Sequence, residues 1–450
     1  MRKLCAASLL ALGLGACGGD GNDVTPTIIV GGGVHDPGID GEVNVYVIDE
    51  DTDAPLTGAT VRVGTIEGTT DATGLFTAAS EDLVGRQDLV VKATNYAASV
   101  WLGVDGANVT VPMTKATTTN PADVPQAELG GTITGWDTLP APATGHANVA
   151  IVMYSQSREI GDDDGNDLPP PAMNSNVCIR GPQPAPCNWR INARAGTIAV
   201  AAAIADYDSK NTPTEADDTI TINNFAIKQP ITVVDGANQT GLTLDLLAGG
   251  STTTASVNFG TPPATYTEVA GIVGVDLGST GVLRLAQVSP TMNTVTVPSL
   301  SAISSATGYE LLAFSQEDVT DGTAGQSIVI RRAITSPSSI AAGAWLAAPT
   351  GLASDRMTVS LVPSAEAIVN IVEIDTKPTT GQGNRAMSII MLGGASNTIT
   401  LPVDFAPLPS GPLTVRANAF DAPEFDPRNF EVETLIDSIE RLAGESIVLN

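Results

Sequence analysis

Val43-Asn44-Val45-Tyr46-Val47 alternates apolar and polar side chains with the two-residue period of a half-buried strand. Asp49-Glu50-Asp51-Thr52-Asp53 interrupts it with turn formers, and Ala59-Thr60-Val61-Arg62-Val63 resumes it. Gly74-Leu75-Phe76-Thr77, Asp88-Leu89-Val90-Val91-Lys92-Ala93 and Val109-Thr110-Val111-Pro112-Met113 repeat the pattern. Short strands spaced by turn signals predict a β-sandwich. Further along, Asn148–Tyr154, Thr197–Ile204, Thr219–Ile222, Leu242–Leu246, Gly308–Phe314, Ser327–Arg332, Ala367–Ile374 and Ser388–Leu392 read the same way. Only 16% of residues are charged, while Thr, Ser, Gly, Ala and Val abound, which suits strands and turns better than helices. The expected fold class is all-β, with tandem β-sandwich domains.

Breaks in the pattern divide the 450 residues. The first sandwich is expected over 39–115 and ends in a polar, breaker-rich linker. A second spans 128–248 and carries a long insert from Gln156 to Asn188. After a Gly/Thr-rich boundary, a third covers 257–345, and 346–450 is either a fourth sandwich or the C-terminal half of the third. Val269-Ala270-Gly271-Ile272-Val273-Gly274 echoes Gly131-Thr132-Ile133-Thr134-Gly135, as repeated units would. Leu435-Ile436-x-x-Ile439-x-x-Leu442 fits a short amphipathic helix or a final strand pair.

Within the first sandwich, Asp49, Pro55-Leu56-Thr57-Gly58-Ala59-Thr60-Val61, Thr69-Thr70-Asp71-Ala72-Thr73-Gly74-Leu75-Phe76 and Ala93-Thr94-Asn95-Tyr96 together resemble the carboxypeptidase regulatory-like domain. That resemblance implies a transthyretin-like, seven-stranded sandwich without catalytic residues, with a fold shared by some carbohydrate-binding modules. Thr70-Asp71-x-x-Gly74 reads as a tight hairpin whose glycine takes positive φ, and Phe76 and Tyr96 are expected in the core. Asn95 stands where the family has Gly, and Asn tolerates the left-handed region.

The N-terminus states an address. Arg2 and Lys3 precede an apolar run from Leu4 to Ala16, as in a secretory signal over 1–16. Leu14-Gly15-Ala16-Cys17 resembles the lipobox of bacterial lipoproteins. The resemblance implies cleavage before Cys17, a lipid thioether on it and an acyl chain such as palmitate on its amino group, and hence a membrane as partner. Gly18 rather than Asp after the cysteine implies the outer membrane, on its periplasmic or surface face. Residues 17–38 are expected to form a flexible tether, because Gly and Asp dominate, Pro26 and Pro37 break structure, and Thr27-Ile28-Ile29-Val30 is the one stretch there able to pair at a sheet edge.

The chain carries a formal charge of −28, which becomes −30 once Arg2 and Lys3 leave with the leader. Such a surface repels nucleic acid and gathers divalent cations. Cys178 and Cys187 enclose a Pro-rich loop, and export favours a disulfide. A metal or nucleophile role for these cysteines would need partners, and His35 and His146 are the only histidines.

Two acidic stretches offer oxygen ligands for Ca²⁺. Asp162, Asp164 and Asn166 have alternate spacing, but Asp167 occupies the position of the loop glycine. Asp206 and Asp208 end a buried strand, with Asp217 close behind. The same residues also read as solvated loop and turn formers. No protein cofactor is otherwise called for. His35 lies in the expected tether and His146 in a Gly/Ala-rich turn, so no serine-hydrolase constellation forms, and no enzymatic activity is expected. Core packing is the default reading for the four tryptophans, and Trp189 beside Cys187 is the candidate for an exposed sugar-stacking ring. The sequence therefore points to a non-catalytic, lipid-anchored envelope module that binds or scaffolds an envelope protein. The alternative is a calcium-stabilised carbohydrate-binding or adhesion protein with a glycan partner.

Overall fold

A computed structural model describes residues 25–116, 125–157, 176–210, 218–249, 251–317, 325–377, 383–392 and 397–449. The chain is all-β. Among the described residues one α-helix, Val432–Ser438, stands beside thirty strands in five sheets. The tail uses both readings of its periodicity: the helix carries Leu435 and Ile436, and Leu442 lies in the strand Arg441–Leu449 that follows.

Among the described residues four large hydrophobic cores, each inside a sandwich of strands, stand beside a small fifth cluster of Leu346, Ala419 and Ala443. One gathers Val45, Val61, Leu89, Trp101 and Val109, and a second gathers Leu129, Trp136, Val152, Trp189 and Ile204. A third gathers Val257, Val273, Leu311 and Trp345 with Ala199, Ala201, Ala203 and Phe225, and a fourth includes Leu352, Val359, Ile374, Ile389 and Val415. Seven strands lie between Asp40 and Met113, and their turns follow the sequence. Gly74 has φ 78° and Asn95 φ 71°. The Asp71 carboxylate accepts from the Thr73 and Leu75 backbone N–H groups, which fixes the hairpin. Phe76 and Tyr96 pack against this core while staying partly exposed.

The sandwiches are fused rather than strung on linkers. One twelve-stranded sheet runs from Val282–Val288 at one edge to Ile66–Thr69 at the other and serves three of the four cores. Its join between the first and last sandwiches is a parallel pairing of Ala98–Val104 with Arg385–Leu392, with Ile389 opposite Val100. Successive side chains on a strand point to opposite faces. Trp101 therefore enters the first core, and Ala98 and Val100 enter the fourth.

Strand Gly196–Asp208 shows the same economy. Ile198 to Ala205 are all buried, with Val200, Ala202 and Ile204 in the second core and Ala199, Ala201 and Ala203 in the third. An apolar run without alternation is what two covered faces require. Small alanines on the second face let the two units approach closely. The contact continues through Gln156, whose backbone pairs with Val282 and whose side-chain oxygen accepts from Arg284.

The segment expected to be a free tether is structured over its described part. Gly33–Gly38 is a strand lying between Gly106–Met113 and Phe430–Glu431. Val34 is fully buried, and Ile29 is nearly so. The glycines that suggested flexibility permit close packing instead. A Cβ on Gly33 would lie 2.2 Å from the Phe430 carbonyl oxygen, and one on Gly32 would lie 2.5 Å from Pro112. His35 Nδ1 sits 2.5 Å from Asn429 Oδ1, so residues near the two ends of the chain are tied together. No helix among the described residues is long and apolar enough to cross a membrane.

Candidate functional site

The second sandwich brings several of the singled-out residues into one sheet. Its seven strands run, in spatial order, Val177–Arg180, His146–Tyr154, Gly196–Asp208, Thr219–Val233, Gln239–Leu246, Gln126–Thr134 and Asn188–Arg194. His146 lies opposite Asp208, and Asn148 lies opposite both Asp206 and Arg180. Residues opposite one another in a sheet project from the same face, as do residues two apart. Arg180, Asn148, Asp206, His146 and Asp208 therefore form two polar rows on the face that carries Ala150, Val152 and Ile204 into the core. They make a polar layer over an apolar interior.

Each member has a defined partner. His146 Nδ1 lies 2.7 Å from Asp206 Oδ2, and its Nε2 lies 3.6 Å from Asp208 Oδ2. Lys210 bonds the same Asp208 carboxylate through Nζ and through its backbone N–H. These bonds from Lys210, with the charges of His146 and Lys210 added, hold the Asp208 carboxyl below the usual carboxylate range. Asn148 Nδ2 donates to the Pro140 carbonyl at 3.0 Å. Arg180, only 3% exposed, donates to the carbonyls of Leu139 at 2.8 Å and Trp136 at 3.4 Å. The guanidinium thus caps the carbonyl end of the short 3₁₀ turn Trp136–Thr138 and pins it over the sheet end.

Asp206 and Asp208 are together as the sequence proposed, but they flank opposite sides of one imidazole. A divalent cation would have to displace His146 and Lys210 before both could ligate it. Among the described residues no group of three or more His, Cys, Asp or Glu side chains is placed to hold a metal ion. Asp217, Asp162, Asp164, Asn166 and Cys17 lie outside the described residues.

Trp189 corrects an expectation. It is 1% exposed and its indole N–H donates to the Thr132 carbonyl at 3.2 Å. The alternation of Asn188–Arg194 turns Trp189, Ile191 and Ala193 inward together, so the ring offers no face to a sugar. The other tryptophans are buried as well, Trp101 at 0%, Trp136 at 1% and Trp345 at 8% exposure. Cys178 and Cys187 form a disulfide with Cα atoms 5.4 Å apart. Cys178 lies on Val177–Arg180, one edge of the sheet, and Cys187 immediately precedes Asn188–Arg194, the opposite edge. The bond therefore links the two edges of a sheet that curls around its core.

His146, Asn148 and Arg180 are the residues that sequence reasoning missed. The available signal was pairing: His146-x-Asn148 opens one apolar strand, and Asp206-x-Asp208 closes the next. In an antiparallel hairpin those two dyads must meet.

No protein-family description and no curated protein matches this chain. Solved structures with loose similarity include the Bacillus anthracis TIE protein, at 8% identity and TM-score 0.15, covering 68% of this chain and 50% of that one. The shaft pilin SpaA from Lactobacillus rhamnosus GG aligns at 12% identity and TM-score 0.14 over 46% of this chain and 97% of its own. The native conformation of E. coli alpha-2-macroglobulin aligns at 9% identity and TM-score 0.12, over 92% of this chain and 28% of that one. The chain thus spans half the length of the TIE protein, and superpositions this loose transfer no function to it.

Proposed function

We propose that this protein is a non-catalytic lipoprotein of the cell envelope, a rigid β-scaffold held at a membrane through lipid on Cys17. The observation that carries this reading is the treatment of the anchor-proximal chain. Gly33–Gly38 is woven between a first-sandwich strand and Phe430–Glu431, so a load applied at the N-terminus enters two sheet partners at once. Eleven residues separate Cys17 from the buried Ile29, a span of about 40 Å at full extension. The body would therefore stand close to the lipid surface. Two or more acyl chains hold a protein there stably, whereas one does so marginally.

Fused sheets suit such a role. Two faces of one strand serve two cores, so the sandwiches cannot swing independently as beads on linkers would. The polar layer at His146, Asp206, Asp208 and Arg180 closes the end of one sandwich by side-chain polar contacts and backbone capping. Fractionation of cells expressing the wild-type chain and Cys17→Ser tests the proposal. Wild type is expected in the membrane fraction and Cys17→Ser in the soluble fraction; equal distribution of the two would refute it.

A further inference from the structure

The third sandwich contains a cavity of about 300 Å³ that no part of the scaffold reading uses. Val257 and Phe259, both nearly buried, and the half-buried Pro262 supply an apolar floor and wall. Asn258, Asn293 and Ser339 stand exposed around it. Asn258 Oδ1 accepts from the Gly260 backbone N–H at 3.0 Å, which leaves its amide N–H₂ group for an incoming acceptor. The side chains of Asn293 and Ser339 make no hydrogen bond to other described residues.

The lining contains no Asp, Glu, Lys, Arg or His, so nothing there would hold a charged ligand. The overall charge of −28 further disfavours anions. The volume sits at the lower limit of small-molecule sites, which run from about 300 to 1,000 Å³. It admits one ring-sized group and not an extended chain. Two amides and a hydroxyl around an apolar floor match a ligand that has hydroxyls and an amide on its rim and an apolar face beneath.

We infer that this cavity binds a neutral amide-bearing saccharide residue, an N-acetylhexosamine, in the third sandwich. The ring's apolar face lies over the half-buried Pro262 and Val269, and Asn258, Asn293 and Ser339 meet its acetamido and hydroxyl groups. The inference stands independently of lipid attachment, so either can fail alone. It also places the sugar site in the third sandwich and not at Trp189, using a shallow amide-rimmed cavity in place of a stacked aromatic ring.

Saturation-transfer NMR on the purified full-length protein with N-acetylglucosamine tests it, with glucose and a proline-rich peptide as parallel probes. N-acetylglucosamine is expected to give saturable signal from its methyl group, and glucose weaker signal. Asn293→Ala should weaken binding about tenfold, the effect of one lost hydrogen bond near the upper end of its range. Ser339→Trp, which fills the cavity from an exposed turn, should abolish binding. Circular dichroism of both variants checks that the fold is retained; Asn258→Gln serves as a second amide variant if Asn293→Ala fails to fold. The indole N–H of Trp345 donates to the Phe259 carbonyl at 2.7 Å, so a ligand-dependent change in tryptophan emission is a second readout. Absence of saccharide signal, equal binding by folded Ser339→Trp, or preference for the peptide would each overturn the inference.

Discussion

Replacing both Cys178 and Cys187 by Ser tests whether the disulfide closes the second sandwich. The cross-link spans nine residues. A loop that short removes about 2.7 kcal/mol of chain entropy from the denatured state. Its placement adds a native-state consequence. Among the described residues Val177–Arg180 pairs with one strand alone, and Cys187 is 2% exposed in the core beside Trp189. Without the bond, the edge strand is held by four residue pairs with His146–Tyr154 and by the Arg180 contacts to Trp136 and Leu139. Because strand Gly196–Asp208 serves the second and third cores together, the melting unit is roughly 200 residues, which shifts by about 3 °C per kcal/mol, so its transition should fall about 8 °C. Differential scanning calorimetry of the oxidised wild type, the reduced wild type and the double variant resolves this. Hydrogen exchange should report faster exchange at the backbone amides of 177–180 and 188–194, and unchanged exchange in 369–376. A double variant melting within about 2 °C of wild type would refute the closure argument, because the entropic contribution alone exceeds that shift.

Three further outcomes follow from packing and electrostatics. Asp49 accepts from Tyr96 Oη at 2.6 Å, from the Thr52 hydroxyl at 2.8 Å and from two backbone N–H groups, so Asp49→Ala should cost about 2–3 kcal/mol in urea unfolding. Burial pushes the Asp49 carboxyl up, but bonds from Tyr96 and Thr52 and the Lys115 charge outweigh it, leaving it below the ordinary range. Its stabilisation is therefore present above the unfolded-state value of about 4 and is lost as pH falls through the lower folded-state value; a variant that loses the same increment at pH 7 and pH 2 would contradict this. Trp189→Ala should destabilise the second sandwich by about 3–5 kcal/mol and leave glycan binding by any other part of the chain unchanged, whereas loss of sugar binding with full stability would show the ring to be a ligand platform. Gly33→Val should detach the N-terminal strand, because the new Cβ would lie 2.2 Å from the Phe430 carbonyl; limited proteolysis should then cut before Val34 at least tenfold faster.

Strand period and turn chemistry carried most of the fold into the sequence. Val43–Val47, Ala59–Val63 and the Thr70–Gly74 hairpin could be read because alternation and positive-φ positions are local. The fusion of sandwiches was not local. The parallel pairing of Ala98–Val104 with Arg385–Leu392 joins residues nearly three hundred apart, and no spacing rule registers such a contact. Gly31-Gly32-Gly33 misled because glycine signals both flexibility and close approach, and only the position of Phe430 and Pro112 distinguishes them. Cys178 and Cys187 were paired from compartment chemistry, yet their place at opposite sheet edges was invisible. Asp206 and Asp208 lie at a strand end as the sequence proposes, and their imidazole partner escapes it because His146 reads as a turn residue. For Trp189 the favoured core reading holds, through the alternation of its own strand, and only its place beside Cys187 suggested an exposed ring.

Mass spectrometry of the first peptide of the mature protein, isolated from the envelope fraction, bears most directly on the proposed role. The lipid-anchored scaffold predicts a chain that begins at Cys17 and carries a diacylglyceryl thioether and an N-linked acyl group. A chain that begins at Met1, or one that begins at Cys17 with a free thiol, would contradict it.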